Sequence, residues 1–161
     1  MLNNDVFRRV RYALDLSDSK MVDIFKLAGE QFTVAQISQW LAREDDPGFE
    51  KCRNAQFSAF LNGLIVDLRG PREDSQPQIE QSLTNNMIFK KLRIALNLQT
   101  DDILEMMELT GFSLSRHELS SLFRKSSQRH YRECNDQTLR KFLKGMQLKY
   151  RPSIEEQPEN G

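Results

Sequence analysis

The chain has 161 residues, 39% of them hydrophobic and 29% charged, with 23 basic and 23 acidic side chains. That balance excludes an extended disordered polymer, and no apolar run reaches the ~18 residues that a membrane-crossing helix requires. The zero net charge conceals a division, because residues 1–70 carry −1 and residues 84–151 carry +6.

The N-terminus runs at once into Asn3, Asn4 and Asp5, without the apolar stretch of a signal peptide, so the expected setting is the cytoplasm. Asn4 is placed as the N-cap of a first helix whose apolar side is Val6, Phe7, Val10 and Leu14. A second helix is expected after Asp18 and stops at Gly29, the residue type favoured just beyond a helix end. Thr33 and Gln36 make a capping box for a third helix, which carries Ile37, Trp40 and Leu41. After an acidic loop, AREDDPGFEKC, a fourth helix follows Asn54, with the stripe Phe57, Phe60, Leu61, Leu64, Ile65 and Leu68. Residues 70–83 are polar and broken by Pro71 and Pro77, and read as a linker.

Beyond the linker the same elements return. NNDVFRRVRYALDL (Asn3 to Leu16) reappears as NNMIFKKLRIALNL (Asn85 to Leu98), and an offset of 82 carries residues 3–69 onto 85–151 without a gap. Fifteen of those 67 positions are identical, so the alignment is a duplication rather than a coincidence. Asn86, Thr100, Gly111, the Ser115/Glu118 capping box and Asp136 stand where Asn4, Asp18, Gly29, Thr33/Gln36 and Asn54 stand in the first copy. The last stripe reads Leu139, Phe142, Leu143, Met146 and Tyr150. Residues 152–161 are acidic and contain proline, and are expected to be a disordered tail. No segment reads as a strand. The expected fold is therefore all-α: a four-helix unit at 1–69, the linker at 70–83, and a second four-helix unit at 84–151. Units of this size bury little alone, so the two are expected to pack about a pseudo-two-fold axis.

The paired segments NNDVFRRVRYALDLSDSKMVDIFKLAG and NNMIFKKLRIALNLQTDDILEMMELTG resemble the duplicated unit of the YehS-like bacterial proteins, a domain-of-unknown-function family. The resemblance spans Asn3 to about Arg151 and implies a bacterial, cytoplasmic, two-unit protein. It brings no catalytic residues with it.

Enzymatic readings find little support in the residues. The chain has no Gly-rich phosphate loop, no G-x-S-x-G, no H-E-x-x-H and no Cys-x-x-Cys, and neither a cofactor nor a metal is expected. His117 and His130 match no metal-site spacing. Cys52 and Cys134 share one repeat position and read as small packing residues of a reducing compartment. What remains is binding. The loop that is acidic in the first unit reads RKSSQRHYREC in the second. Arg124, Lys125, Arg129, His130 and Arg132, followed by Arg140, Lys141 and Lys144, make a basic run around Tyr131. A secondary basic surface is expected on the first helix of each unit: Arg8, Arg9 and Arg11, with Lys90, Lys91 and Arg93. The expected function is a non-catalytic interaction module for a protein partner or another copy of the chain. The alternative is a nucleic-acid binder built on the second unit. In that alternative, helices two and three would form a helix-turn-helix exposing Arg116, His117, Ser120, Ser121 and Arg124.

Overall fold

The computed structural model describes residues 1–71 and 78–151; the expected tail at 152–161 and part of the linker lie outside the described residues. It contains eight helices, α1 (Asn3–Ala13), α2 (Asp18–Leu27), α3 (Val34–Leu41), α4 (Asn54–Arg69), α5 (Asn85–Ala95), α6 (Thr100–Glu108), α7 (Arg116–Leu122) and α8 (Asp136–Tyr150), and no strand among the described residues. The all-α duplication is therefore present as eight helices in two equivalent sets of four.

Local chemistry sets most of the boundaries. Both capping boxes form, with Thr33 accepting from the Gln36 N–H and Ser115 from the Glu118 N–H. Gly29 and Gly111 follow α2 and α6 with φ of 82° and 75°, a region that only glycine enters without cost. The N-terminal asparagines behave differently from the expectation. The first helices begin two residues earlier, behind Leu2 and Thr84, so Asn4 and Asn86 lie within the first turn and do not cap it. Thr84 caps α5 by accepting from the Met87 N–H, whereas Leu2 has no side chain able to do so. α4 and α8 likewise begin at Asn54 and Asp136, and Asn135 caps α8. The stripes of α4 and α8 also end a turn early, because Leu68 and Tyr150 are exposed.

Packing joins the units as firmly as it joins helices within a unit. α4 lies against both α2 and α5, and α8 lies against both α6 and α1. Exchanging the two units turns the α4–α5 contact into α8–α1 and the reverse. The interface thus closes on itself as a two-fold contact does. One continuous core runs through both units. In the first it is aromatic: Phe7 meets Phe60 edge to face at 4.8 Å, and Trp40 meets Phe32 at 4.9 Å. The second uses Phe89 against Phe142 at 4.1 Å, with Met106 and Met107 where the first has Ile24 and Phe25. Trp40, Cys52 and Cys134 are all buried, as the repeat alignment suggests.

The residues between the units return along α4. Asn62 donates to the Gln78 carbonyl at 3.1 Å, Asn54 donates to the Gln81 carbonyl at 3.3 Å, and Ser58 donates to the Glu80 carboxylate. Lys91 from α5 completes the seam, 2.7 Å from Asn62 Oδ1 and 2.9 Å from the Glu80 carboxylate. Burial raises the Glu80 carboxyl pKa, but the hydrogen bonds from Ser58 and Lys91 and the Lys91 charge outweigh it, leaving it below the usual carboxylate range.

Candidate binding surface

The loop between α7 and α8 is built on a scaffold that the repeated Asn-Asn pair supplies. Asn86 donates to the carbonyls of Leu122 at 2.9 Å and Arg132 at 2.8 Å, and accepts from the Cys134 N–H at 2.9 Å. Asn85 donates to the Cys134 carbonyl at 3.0 Å and to Asp136 at 2.8 Å. In the first unit Asn4 and Asn3 make the same five bonds, to Trp40, Glu50, Cys52 and Asn54. Each asparagine pair fixes both ends of its loop to the first helix. Only a side chain that both donates and accepts can serve at Asn4 and Asn86.

On this common frame the two loops carry opposite charge. Residues 42–52 hold four acids and two bases, while residues 124–134 hold four bases and one acid. In the second loop Lys125 and Gln128 close a turn, the Lys125 N–H bonding Gln128 Oε1 at 2.8 Å, and His130 takes a left-handed φ of 67°. Arg129 and His130 are exposed at its tip. Arg132 pairs with Glu118 at 2.9 Å, and the Glu118 carboxyl lies below its ordinary range through hydrogen bonds from Ser115 and then from Arg132. Arg124 is half-buried, and its Nε is enclosed without a hydrogen-bond partner among the described residues.

Two of the expected surfaces meet here. Lys90 of α5 joins Arg124, Lys125 and Tyr131 around a cavity of about 490 Å³ at the start of α5. Arg140 and Lys144 are exposed and Lys141 half-buried on α8, outside the lining of that cavity and without ion pairs among the described residues. The rest of the helix-one surface turns inward. Arg8 donates to the Ala42 carbonyl at 3.2 Å and pairs with Asp5 at 2.7 Å. Arg11 and Arg93 each donate through Nε to the carbonyl five residues on, at Leu16 and Leu98, and Lys91 holds Glu80 and Asn62. Only Arg9 and Lys90 of that set are exposed.

The residues of the expected helix-turn-helix fare unevenly: Arg116, His117 and Ser120 are exposed, whereas Arg124 is half-buried. α7 has seven residues, Arg116 is paired with Asp101, and Ser121 is buried with its hydroxyl donating to the His117 carbonyl. His117 and His130 approach with ring centroids 6.0 Å apart on the surface, and no group of three metal-capable side chains occurs among the described residues. Burial pushes both thiols up, Cys52 and Cys134 alike, to about 12, the reverse of what a nucleophile needs. No helix among the described residues is long and apolar enough to cross a membrane. The polar residues Ser58 and Asn62, which seat the linker, are not in any expected site. Their signal was two polar residues one turn apart among the apolar positions of the α4 stripe.

The family model for a protein of unknown function, DUF1456, matches residues 3–70 and again 85–151. The uncharacterized protein YehS of Escherichia coli (strain K12) is 42% identical over 148 residues, covering 91% of this chain and 94% of that protein. No solved structure matches the chain. The duplicated asparagine clamp and the paired four-helix units are thus the framework of a DUF1456 protein, and the chain belongs to that family.

Proposed function

We propose that the protein is a non-catalytic binding module of the cytoplasm, whose second unit engages an acidic surface of a protein partner or of another copy of the chain. The observation that carries this reading is the opposite charge of two loops held on one frame. Lys125 and Arg129 have no ion-pair partner among the described residues, and in the first loop Glu44 and Asp45 are exposed without a pair. Loops at pseudo-symmetric places that differ in sign suit a contact between copies in which the basic loop of one meets the acidic loop of another. A second reading, nucleic-acid binding, draws support from the cavity that gathers Lys90, Arg124 and Lys125 beside Tyr131.

One variant separates the two. Changing Lys125, Arg129 and Arg132 to Glu leaves the core untouched, since all three are exposed. For self-association, the variant becomes monomeric by sedimentation, and changing Glu44, Asp45 and Asp46 to Lys in the same chain restores association. For nucleic acid, the variant loses binding that in the wild type falls with salt at a log–log slope near −4.5 for about five phosphate contacts, and the second change restores nothing. A variant that matches the wild type in solution mass, partner capture and nucleic-acid affinity would refute both readings.

A further inference from the structure

The linker that covers α4 has no counterpart on α8 among the described residues, and the chemistry of the bare face points to what would cover it. Asn54, Ser58 and Asn62, four residues apart on α4, hold the returning chain at Gln81, Glu80 and Gln78, and Lys91 pairs with Glu80. At the equivalent places α8 presents Asp136, Arg140 and Lys144, and α1 presents Arg9. The groove between α4 and α5 has a volume of about 590 Å³ and is closed on one side by Gly70, Pro71 and Glu80. Its counterpart between α1 and α8, lined by Arg9, Tyr12, Leu143 and Gln147, is open and measures about 920 Å³. The acids at this face are largely engaged: Asp5 pairs with Arg8, and Asp136 takes hydrogen bonds from Asn85 and the amino terminus, while Glu44 stands at the rim.

We propose that the acidic segment after Arg151 folds back into the α1–α8 groove, its carboxylates held by Arg9, Arg140 and Lys144. Residues 152–161 contain three acids and no base, and Ile154-Glu155-Glu156-Gln157 resembles in composition the Gln78-Ile79-Glu80-Gln81 that lies along α4 at the edge of the other groove. The chain leaves α8 at the mouth of this groove. Arg151 donates to the Tyr12 carbonyl at 3.0 Å and lies over the Tyr12 ring at 4.2 Å, and Tyr12 lines the groove. Reach is sufficient. From Arg151 back to the level of Arg140 is ~16 Å at the helical rise, and eight extended residues to Glu159 span ~26 Å. On such a short tether the groove meets its own segment at roughly millimolar effective concentration, well above any second copy at ordinary dilution.

The inference does not rest on the partner reading above, because its test is read within one chain. A nitroxide is attached to full-length protein carrying Gln157→Cys; the native thiols, buried and pushed up to about 12, stay unlabelled. Docking predicts roughly twofold or greater loss of the amide signals of Asp5, Arg9, Arg140 and Lys144. The loss is reversed when Glu155, Glu156 and Glu159 are changed to Lys, a variant that leaves the folded core alone. Broadening confined to Tyr12, Asp15 and Lys149 beside Arg151, or unchanged by the charge reversal, would overturn the proposal. So would broadening that appears only between a nitroxide-bearing chain and a separately isotope-labelled one, since that result assigns the groove to a second copy.

Discussion

Asn4 shows how much one side chain carries in this fold. It donates to two carbonyls and accepts one N–H, closing a loop between residues 40 and 52. Asn4→Ala strands these groups in the interior, and should cost on the order of 2–4 kcal/mol in urea unfolding with little change in slope. Asn86→Ala should cost less, since Asn86 is only half-buried. The residue type was legible from the repeat, but its role was not. A helix cap and a tertiary clamp both ask for asparagine near a helix start, and the partners that distinguish them lie 36 to 48 residues away. Gly63 and Gly145 give a second residue-scale prediction. A Cβ at Gly63 would strike the Ile24 carbonyl, and one at Gly145 the Met106 carbonyl, because α4 and α8 cross α2 and α6 at backbone contact. Gly→Ala in an exposed helix stabilises by ~1 kcal/mol, whereas here either substitution should destabilise by about 1–3 kcal/mol. Equilibrium denaturation of the two alanine variants reads the sign directly.

At the scale of elements, seven-residue α7 and fifteen-residue α8 were both legible, because capping boxes and apolar stripes are local signals. The path of the linker was not, since nothing in Gln78-Ile79-Glu80-Gln81 announces that α4 will bond its backbone. The Glu80 anchor of that path depends on ionisation. The folded Glu80 carboxyl titrates below its unfolded value, so its contribution is present above the ordinary carboxylate range and is lost as pH falls through the lower, folded value. Glu80→Gln should therefore lower stability at neutral pH and flatten the acid limb of a stability–pH profile, and Lys91→Met should do the same while also removing the partner of Asn62. The basic loop was legible as a run of charge. That Arg132 would be engaged by Glu118, and that Lys90 would join Arg124 across a cavity, depended on the fold.

For the whole molecule, the duplication was legible at once, and size argued that the two units pack together. Which helices would make the contact was not, because α1 and α4 each carry enough apolar surface to face either unit. Since α4–α5 and α8–α1 both cross between units, fragments 1–70 and 84–151 should lose cooperative folding when separated and regain helicity on mixing, as circular dichroism would show. Two independently stable monomeric fragments would contradict the shared core. The same arrangement has a mechanical side. The amino terminus touches Asp136 at the start of α8 and Arg151 touches Tyr12 at the end of α1, so the outermost helices run side by side in one direction. A force drawing residues 1 and 151 apart pulls α1 from its beginning and α8 from its end, sliding one along the other. Every contact along the pair then bears the load together, instead of opening one after another. Tension applied between residues 1 and 151 thus loads the α1–α8 pair in shear.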